Sequence, residues 1–167
     1  MPAPTTRFPR TGADMSDSDS ARPGNFVDGY LLYLLARASS IASAGFHEEL
    51  RGLGVPVPVW RVLASLKGTD GLTVGELARR CLANQPAMSK TVEKLVAQGL
   101  VARRADTQDR RRTWVRLTRA GETRVDELIA RAEAHQAQLV STLGKDGADA
   151  LRTALTRVIA SGKDDPC

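Results

Sequence analysis

The chain has 167 residues, of which 42% are hydrophobic and 4% aromatic, and a net charge of +5. That length suits one domain with a tail, and it buries enough surface to need no disulfide framework. The longest apolar run, Tyr30 to Ala36, falls far short of a membrane span, no signal-peptide core is expected, and so few aromatic residues disfavour a base-stacking platform for single strands. Two cysteines, Cys81 and Cys167, and two histidines, His47 and His135, supply no zinc-ligand spacing. No metal and no cofactor is therefore expected, and a reducing cytoplasm is the natural compartment.

Residues 1–24 are rich in Pro, Arg, Ser and Asp and read as a disordered lead. From Phe26 the pattern changes. Phe26, Tyr30, Leu31, Leu34, Leu35, Ala38, Ile41 and Ala42 recur at helical spacing, which predicts one long helix ending before Gly52 or Gly54. Its apolar face is wider than one neighbour requires, as in a core or a subunit interface. Pro56 and Pro58 open a short helix over Val59, Trp60, Val62, Leu63 and Leu66, which Gly68 and Gly71 stop. Thr73-Val74-Gly75-Glu76 is a capping box for a second short helix through Leu77, Ala78 and Leu82. Asn84 is the N-cap of the next, with Pro86 in its first turn, Met88, Val92 and Leu95 as its buried stripe, and Gly99 in the C′ position.

After Gly99 the period becomes 2. Leu100–Arg103 and Thr113–Leu117 read as the strands of a hairpin whose turn includes Thr107-Gln108-Asp109. Thr118 then caps a long helix through Val125, Leu128, Ile129, Ala132, Leu139 and Leu143. A last helix carries Leu151, Leu155, Val158 and Ile159, and Gly162 ends it.

Two short helices across a tight turn, followed by a basic hairpin, make a winged helix-turn-helix. The fold expected is mainly α with a small β-wing. Residues 56–118 form the DNA-binding region, and the N- and C-terminal helices of residues 25–55 and 119–162 form a dimerisation region. The second helix of such a pair fits the DNA major groove. Asn84, Gln85, Pro86, Ser89 and Lys90 stand at its start, with Gln85, Ser89 and Lys90 opposite the buried stripe. Gln suits adenine, Ser either partner, and Lys guanine or phosphate, while Lys94, one turn on, suits phosphate. Arg103, Arg104, Arg110, Arg111, Arg112, Arg116 and Arg119 crowd the hairpin. The window from Glu76 to Arg119 carries +7 and the remainder −2, so the whole positive excess belongs to the reading head. An Arg at the hairpin tip can enter a narrow minor groove, and Asp109 can orient its neighbour.

The run Leu77-Ala78 through Asn84-Gln85-Pro86-Ala87-Met88-Ser89-Lys90, then Leu95, Gly99-Leu100-Val101, Asp109-Arg110-Arg111-Arg112 and Val115-Arg116-Leu117-Thr118-Arg119-Ala120-Gly121, resembles the MarR-type transcriptional regulators. The resemblance covers roughly residues 26–159. It implies a homodimer interlocked through its first and last two helices, and a D-x-R wing motif that maps onto Asp109 and Arg111, placing Arg111 in the minor groove. It also implies a repressor of a pseudo-palindromic operator in double-stranded DNA, released by a small molecule or an oxidant. The peroxide-sensing branch carries a reactive cysteine near the start of the first helix, and this sequence has none there.

Other readings compete at particular residues. Tyr30, Trp60 and Arg61 are candidates for a ligand pocket, with core packing an equal account of Trp60. Cys81, beside Leu82, reads first as a small buried hydrophobe and second as a thiol redox sensor. His47-Glu48-Glu49 is more often a solvated cluster than a metal site. The basic face could serve a protein-interaction module instead of DNA, but it lacks exposed apolar anchors. No catalytic motif is present, so no enzyme is expected.

Overall fold

The structure, a computed structural model, describes residues 25–106 and 113–162. Its elements run α1 (Phe26–Gly29), α2 (Leu31–Gly52), α3 (Val57–Leu66), β1 (Leu72–Thr73), α4 (Val74–Arg80), α5 (Gln85–Ala97), β2 (Val101–Ala105), β3 (Thr113–Leu117) and α6 (Arg119–Ser161). Contacts divide the chain into two units, residues 1–38 and residues 39–167. The expected fold class, mainly helical with a small antiparallel wing, is the one observed.

In the first unit, the expected single helix from Phe26 is interrupted. Tyr30 is extended (φ −79°, ψ 110°), and its amide closes the lone turn of α1 on the Val27 carbonyl at 3.3 Å. Asn25 supplies no side-chain cap to that turn. The Phe26 and Tyr30 rings stack at 5.1 Å across the break.

In the second unit, one core joins the end of α2 to everything that follows. Phe46, Leu50, Val62, Leu63, Leu66, Leu77, Met88, Val92, Leu95, Val101, Val115, Val125 and Leu128 are all buried in it. Helix ends fix the path of the chain between these side chains. At the end of α2, Val55 N–H reaches the Leu50 carbonyl and Gly54 N–H the Arg51 carbonyl. At the end of α5, Leu100 N–H reaches Leu95 and Gly99 N–H reaches Val96. Both are Schellman ends, and each has a glycine at positive φ (Gly54 68°, Gly99 70°), the conformation that glycine adopts most cheaply.

The sheet has strand order β1-β3-β2 and is antiparallel throughout. Strand β1 is a correction to the sequence reading, which took Thr73 only as a cap. Leu72 and Thr73 pair with Val115 and Trp114. The first wing strand also runs two residues further than expected, to Ala105, because Arg104 and Ala105 pair with Trp114 and Thr113. Thr118 then joins wing to helix. Its hydroxyl accepts the Gly121 amide at 3.1 Å and donates to the Gly99 carbonyl at 2.6 Å. Gly121 is required there, since a Cβ would stand 1.9 Å from the Leu100 carbonyl oxygen.

α6 is two helical runs joined at Gly144, whose φ of 69° and ψ of 160° are not helical. The separate long and last helices expected from the sequence are these two runs. Lys67, just past α3, sits between Glu122 at 2.7 Å and Asp126 at 2.6 Å on α6. Hydrogen bonds to Asp126 and then Glu122 hold its ammonium above the ordinary lysine value, so on the alkaline side the cluster outlasts neutral pH and is lost as the lysine deprotonates. Arg131 on α6 pairs with Glu49 on α2 at 2.6 Å. Among the described residues, no helix is long and apolar enough to cross a membrane.

Candidate nucleic-acid interface

The helix pair α4–α5 is set by its caps. The Thr73 hydroxyl accepts the Glu76 amide, and the Glu76 carboxylate accepts the Thr73 amide at 2.7 Å, completing the capping box read from the sequence. At α5 the Asn84 side-chain oxygen accepts the Ala87 amide at 2.9 Å, and Pro86 occupies the first turn. Asn84 thus spends one of its polar atoms on the cap. Met88, Val92 and Leu95 are buried to within 1% and clamp one side of α5 to the core.

The other side is open. Gln85, Pro86, Lys90 and Lys94 are exposed, while Ser89 is half-buried. Gln85, Pro86 and Ser89 line one wall of a groove, and Thr73, Val74, Gly75 and Thr113 line the rest of it. A Cβ on Gly75 would meet the Gln85 amide nitrogen at 3.9 Å, so the start of α4 and the start of α5 present their surfaces side by side.

The wing has two unlike faces. Ala102, Arg104, Trp114 and Arg116 form one, paired across the strands. Arg104 and Arg116 are exposed, and the Trp114 indole donates to Asp106 at 2.7 Å. On the other face Val101 and Val115 are buried, and Arg103 lies with them. Arg103 is exposed, but it lies on the sheet face opposite to Arg104 and Arg116, with which the sequence grouped it. Its guanidinium turns to α5, where Nη2 donates to the Ser89 carbonyl at 3.2 Å and lies 3.8 Å from Glu93. Sequence reasoning missed this because only the strand register assigns Arg103 to the α5 side of the wing. Asp109, Arg110, Arg111 and Arg112 lie outside the described residues, as does the turn at residues 107–109.

The three residues proposed for a ligand pocket take separate roles. Trp60 packs edge-on against Phe46 at 5.2 Å and lies half-buried against the core. Arg61 donates to the Cys81 carbonyl at 3.4 Å. Tyr30 belongs to the first unit, stacked on Phe26. A different cleft lies between α3, the second half of α5 and α6. Val55, Val59, Leu63 and Leu100 give it apolar walls, and Lys94, Gln98 and Arg124 give it polar ones. Its volume of about 400 Å³ falls in the range that holds small ligands.

Cys81 is 4% exposed, with its sulfur 3.7 Å from the Ser65 hydroxyl. Burial pushes its thiol above the ordinary value, and the Ser65 hydrogen bond and the charges of Arg61 and Arg80 only partly oppose this. The thiolate needed for redox chemistry is therefore disfavoured at neutral pH. At the other candidate cluster, Glu49 is engaged by Arg131, and no group of three potential metal ligands gathers among the described residues.

The signature of the MarR family matches residues 53–112. A crystal structure of a MarR family transcriptional regulator from Silicibacter pomeroyi DSS-3 is 40% identical, covers 84% of this chain and 99% of its own, and superposes with a TM-score of 0.72. The transcriptional repressor MdtR of Bacillus subtilis is 32% identical over 59% of this chain. The repressor IacR of Pseudomonas putida is 27% identical over 66%. The matched stretch spans 64% of the length of each of these two curated relatives.

Proposed function

Because the chain belongs to the MarR family of winged helix-turn-helix transcriptional regulators, which are not enzymes, we propose that it is a homodimeric repressor that binds a pseudo-palindromic operator in double-stranded DNA. The observation that carries this reading is α5. Its buried side is locked into the core, while Gln85, Lys90 and Lys94 stand exposed and Gln85 borders a groove. In the proposed complex the first turn of α5 enters the major groove, where Gln85, Ser89 and Lys90 meet base edges and Lys94 meets phosphate. The wing residues Arg110, Arg111 and Arg112 reach the minor groove, with Asp109 orienting Arg111. Two-fold symmetry sets the half-site centres about one helical turn apart.

A second copy of the chain is the partner that the apolar faces require. Phe26, Leu31 and Leu32 in the first unit are 76%, 64% and 62% exposed, and Val158 and Ile159 at the end of α6 are 59% and 63% exposed. Apolar surface on that scale marks an interface. Release by a small molecule is supported by the cleft that Lys94 shares with Arg124. A ligand there would compete for a side chain assigned to DNA. The burial of Cys81 favours such a signal over an oxidant. The site of action is the cytoplasm.

The test is a gel-shift titration against duplexes selected from a random pool, repeated over a range of salt. A specific complex of one dimer per site is expected. Arg111→Ala should weaken it and lower the slope of log K against log salt by about one unit per lost phosphate contact. A dimer that selects no duplex at moderate salt overturns the reading, and an unchanged slope and affinity in Arg111→Ala overturn the wing assignment.

A further inference from the structure

We propose that Arg103 is a positioning residue, locking the wing to the recognition helix α5 so that the two read DNA as one rigid unit. The inference rests on the DNA-binding reading above and deepens it. Its starting point is the strand register. Arg103 pairs with Val115 and follows Val101 by two, so all three share one face of the sheet, and both valines are buried. An arginine on that side must run its stem over apolar surface and find acceptors at its end.

The acceptors are both on α5. Nη2 donates to the Ser89 carbonyl at 3.2 Å and approaches the Glu93 carboxylate at 3.8 Å. Residues 89 and 93 are one helical turn apart on the same side of the helix. One guanidinium nitrogen therefore touches both the backbone and a side chain of α5 and opposes movement of the helix against β2. The Ser89 carbonyl also accepts within the helix, and its second lone pair takes the arginine. Ser89 itself is one of the residues assigned to base edges, so the lock grips α5 at its reading end.

This placement separates Arg103 from its neighbour. Both are exposed, but Arg104 points to the opposite face, while the Arg103 guanidinium turns to α5. The Glu93 carboxylate 3.8 Å away offsets part of the Arg103 charge, so the proposal gives Arg103 a smaller share of counterion release than Arg104. Arg103 acts on discrimination between sequences and leaves the attraction to phosphate to the other cations.

The experiment measures specific and non-specific duplex affinity over a range of salt for the wild type, Arg103→Gln, Arg103→Lys and Glu93→Gln, with thermal unfolding alongside. A duplex selected by the wild type serves as the specific site. Arg103→Gln and Arg103→Lys should each lower the ratio of specific to non-specific affinity about tenfold with the salt slope unchanged, since a lysine keeps the charge but its shorter side chain does not carry a nitrogen as far as Nη2. A phosphate-contact role predicts the contrary. Arg103→Gln would then lower the slope by about 0.9 with the ratio kept, and Arg103→Lys would restore it. Either that pattern or a ratio at the wild-type value overturns the lock. Should the Arg103 variants not fold, Glu93→Gln at an exposed acceptor must still lower the ratio, and failure to do so overturns it. A wild type that selects no duplex removes the DNA-binding reading and this inference together. A wild type that binds while every variant discriminates equally well removes this inference alone.

Discussion

Leu82 holds the turn between α4 and α5 in a conformation that its side chain resists. Its φ is +55°, and no other described residue except glycine has a positive φ. Ala83 N–H reaches the Ala78 carbonyl and Leu82 N–H the Arg79 carbonyl, the same Schellman pattern that ends α2 and α5. Those two helices place Gly54 and Gly99 at the corresponding position. Leu82 is also 87% exposed, so burial returns little for the strain. A left-handed non-glycine residue costs about 1–2 kcal/mol, and the extra freedom that a glycine gives the unfolded chain offsets roughly half of that. Leu82→Gly should therefore stabilise the protein by about 0.5–1 kcal/mol in urea denaturation at fixed protein concentration. Leu82→Ala, which keeps a Cβ, should bring no such gain. The sequence reading placed Leu82 in the apolar set of α4, because hydrophobic spacing carries no information about φ.

Caps are the features of each element that the sequence disclosed best. Thr73, Asn84 and Thr118 all accept the amide expected of an N-cap. The reason is physical: a cap and its acceptor lie within three residues, so the chain carries the whole interaction locally. Strand β1 was illegible because two residues have no period, and it exists only through its pairing with Val115 and Trp114. Asn84 tests the link from cap to function. Asn84→Ala should cost about 1 kcal/mol of stability and fray the turn that carries Gln85, so operator affinity should fall as well. Asn84→Asp keeps an acceptor for the Ala87 amide and should keep the stability, yet weaken DNA binding by putting a negative charge beside phosphate. Urea denaturation and gel shift together separate the two effects. Equal losses of affinity and stability in both variants would confine Asn84 to the cap.

For the whole molecule, the C-terminal run of α6 is the part least explained by a single chain. Leu151, Leu155, Val158 and Ile159 are exposed at helical spacing after the break at Gly144. Leu155 and Ile159 lie one turn apart on one side, so the double variant Leu155→Asp with Ile159→Asp sets two charges into the proposed dimer interface. The cost exceeds about 2 kcal/mol per protomer, which weakens the dimer about a thousandfold. Sedimentation should then report a monomer, with the full-site complex lost. A variant that remains a dimer would show that this face is not the contact.

The sequence by itself determined the order of the main helices and the wing strands, the caps at Thr73, Asn84 and Thr118, the helix-turn-helix with its wing, the concentration of charge in residues 76–119 and the family. These are written in short-range spacing and in residue type, which no distant partner needs to complete. Tertiary structure alone decided which wing arginine turns to α5, where Trp60 and Arg61 are spent, and that Gly121 must pass against the Leu100 carbonyl. Each of these depends on strand register or on the approach of elements far apart in the chain. A guanidinium at position 103 reads the same in sequence as one at 104, and one step along a pleated strand sends them to opposite faces.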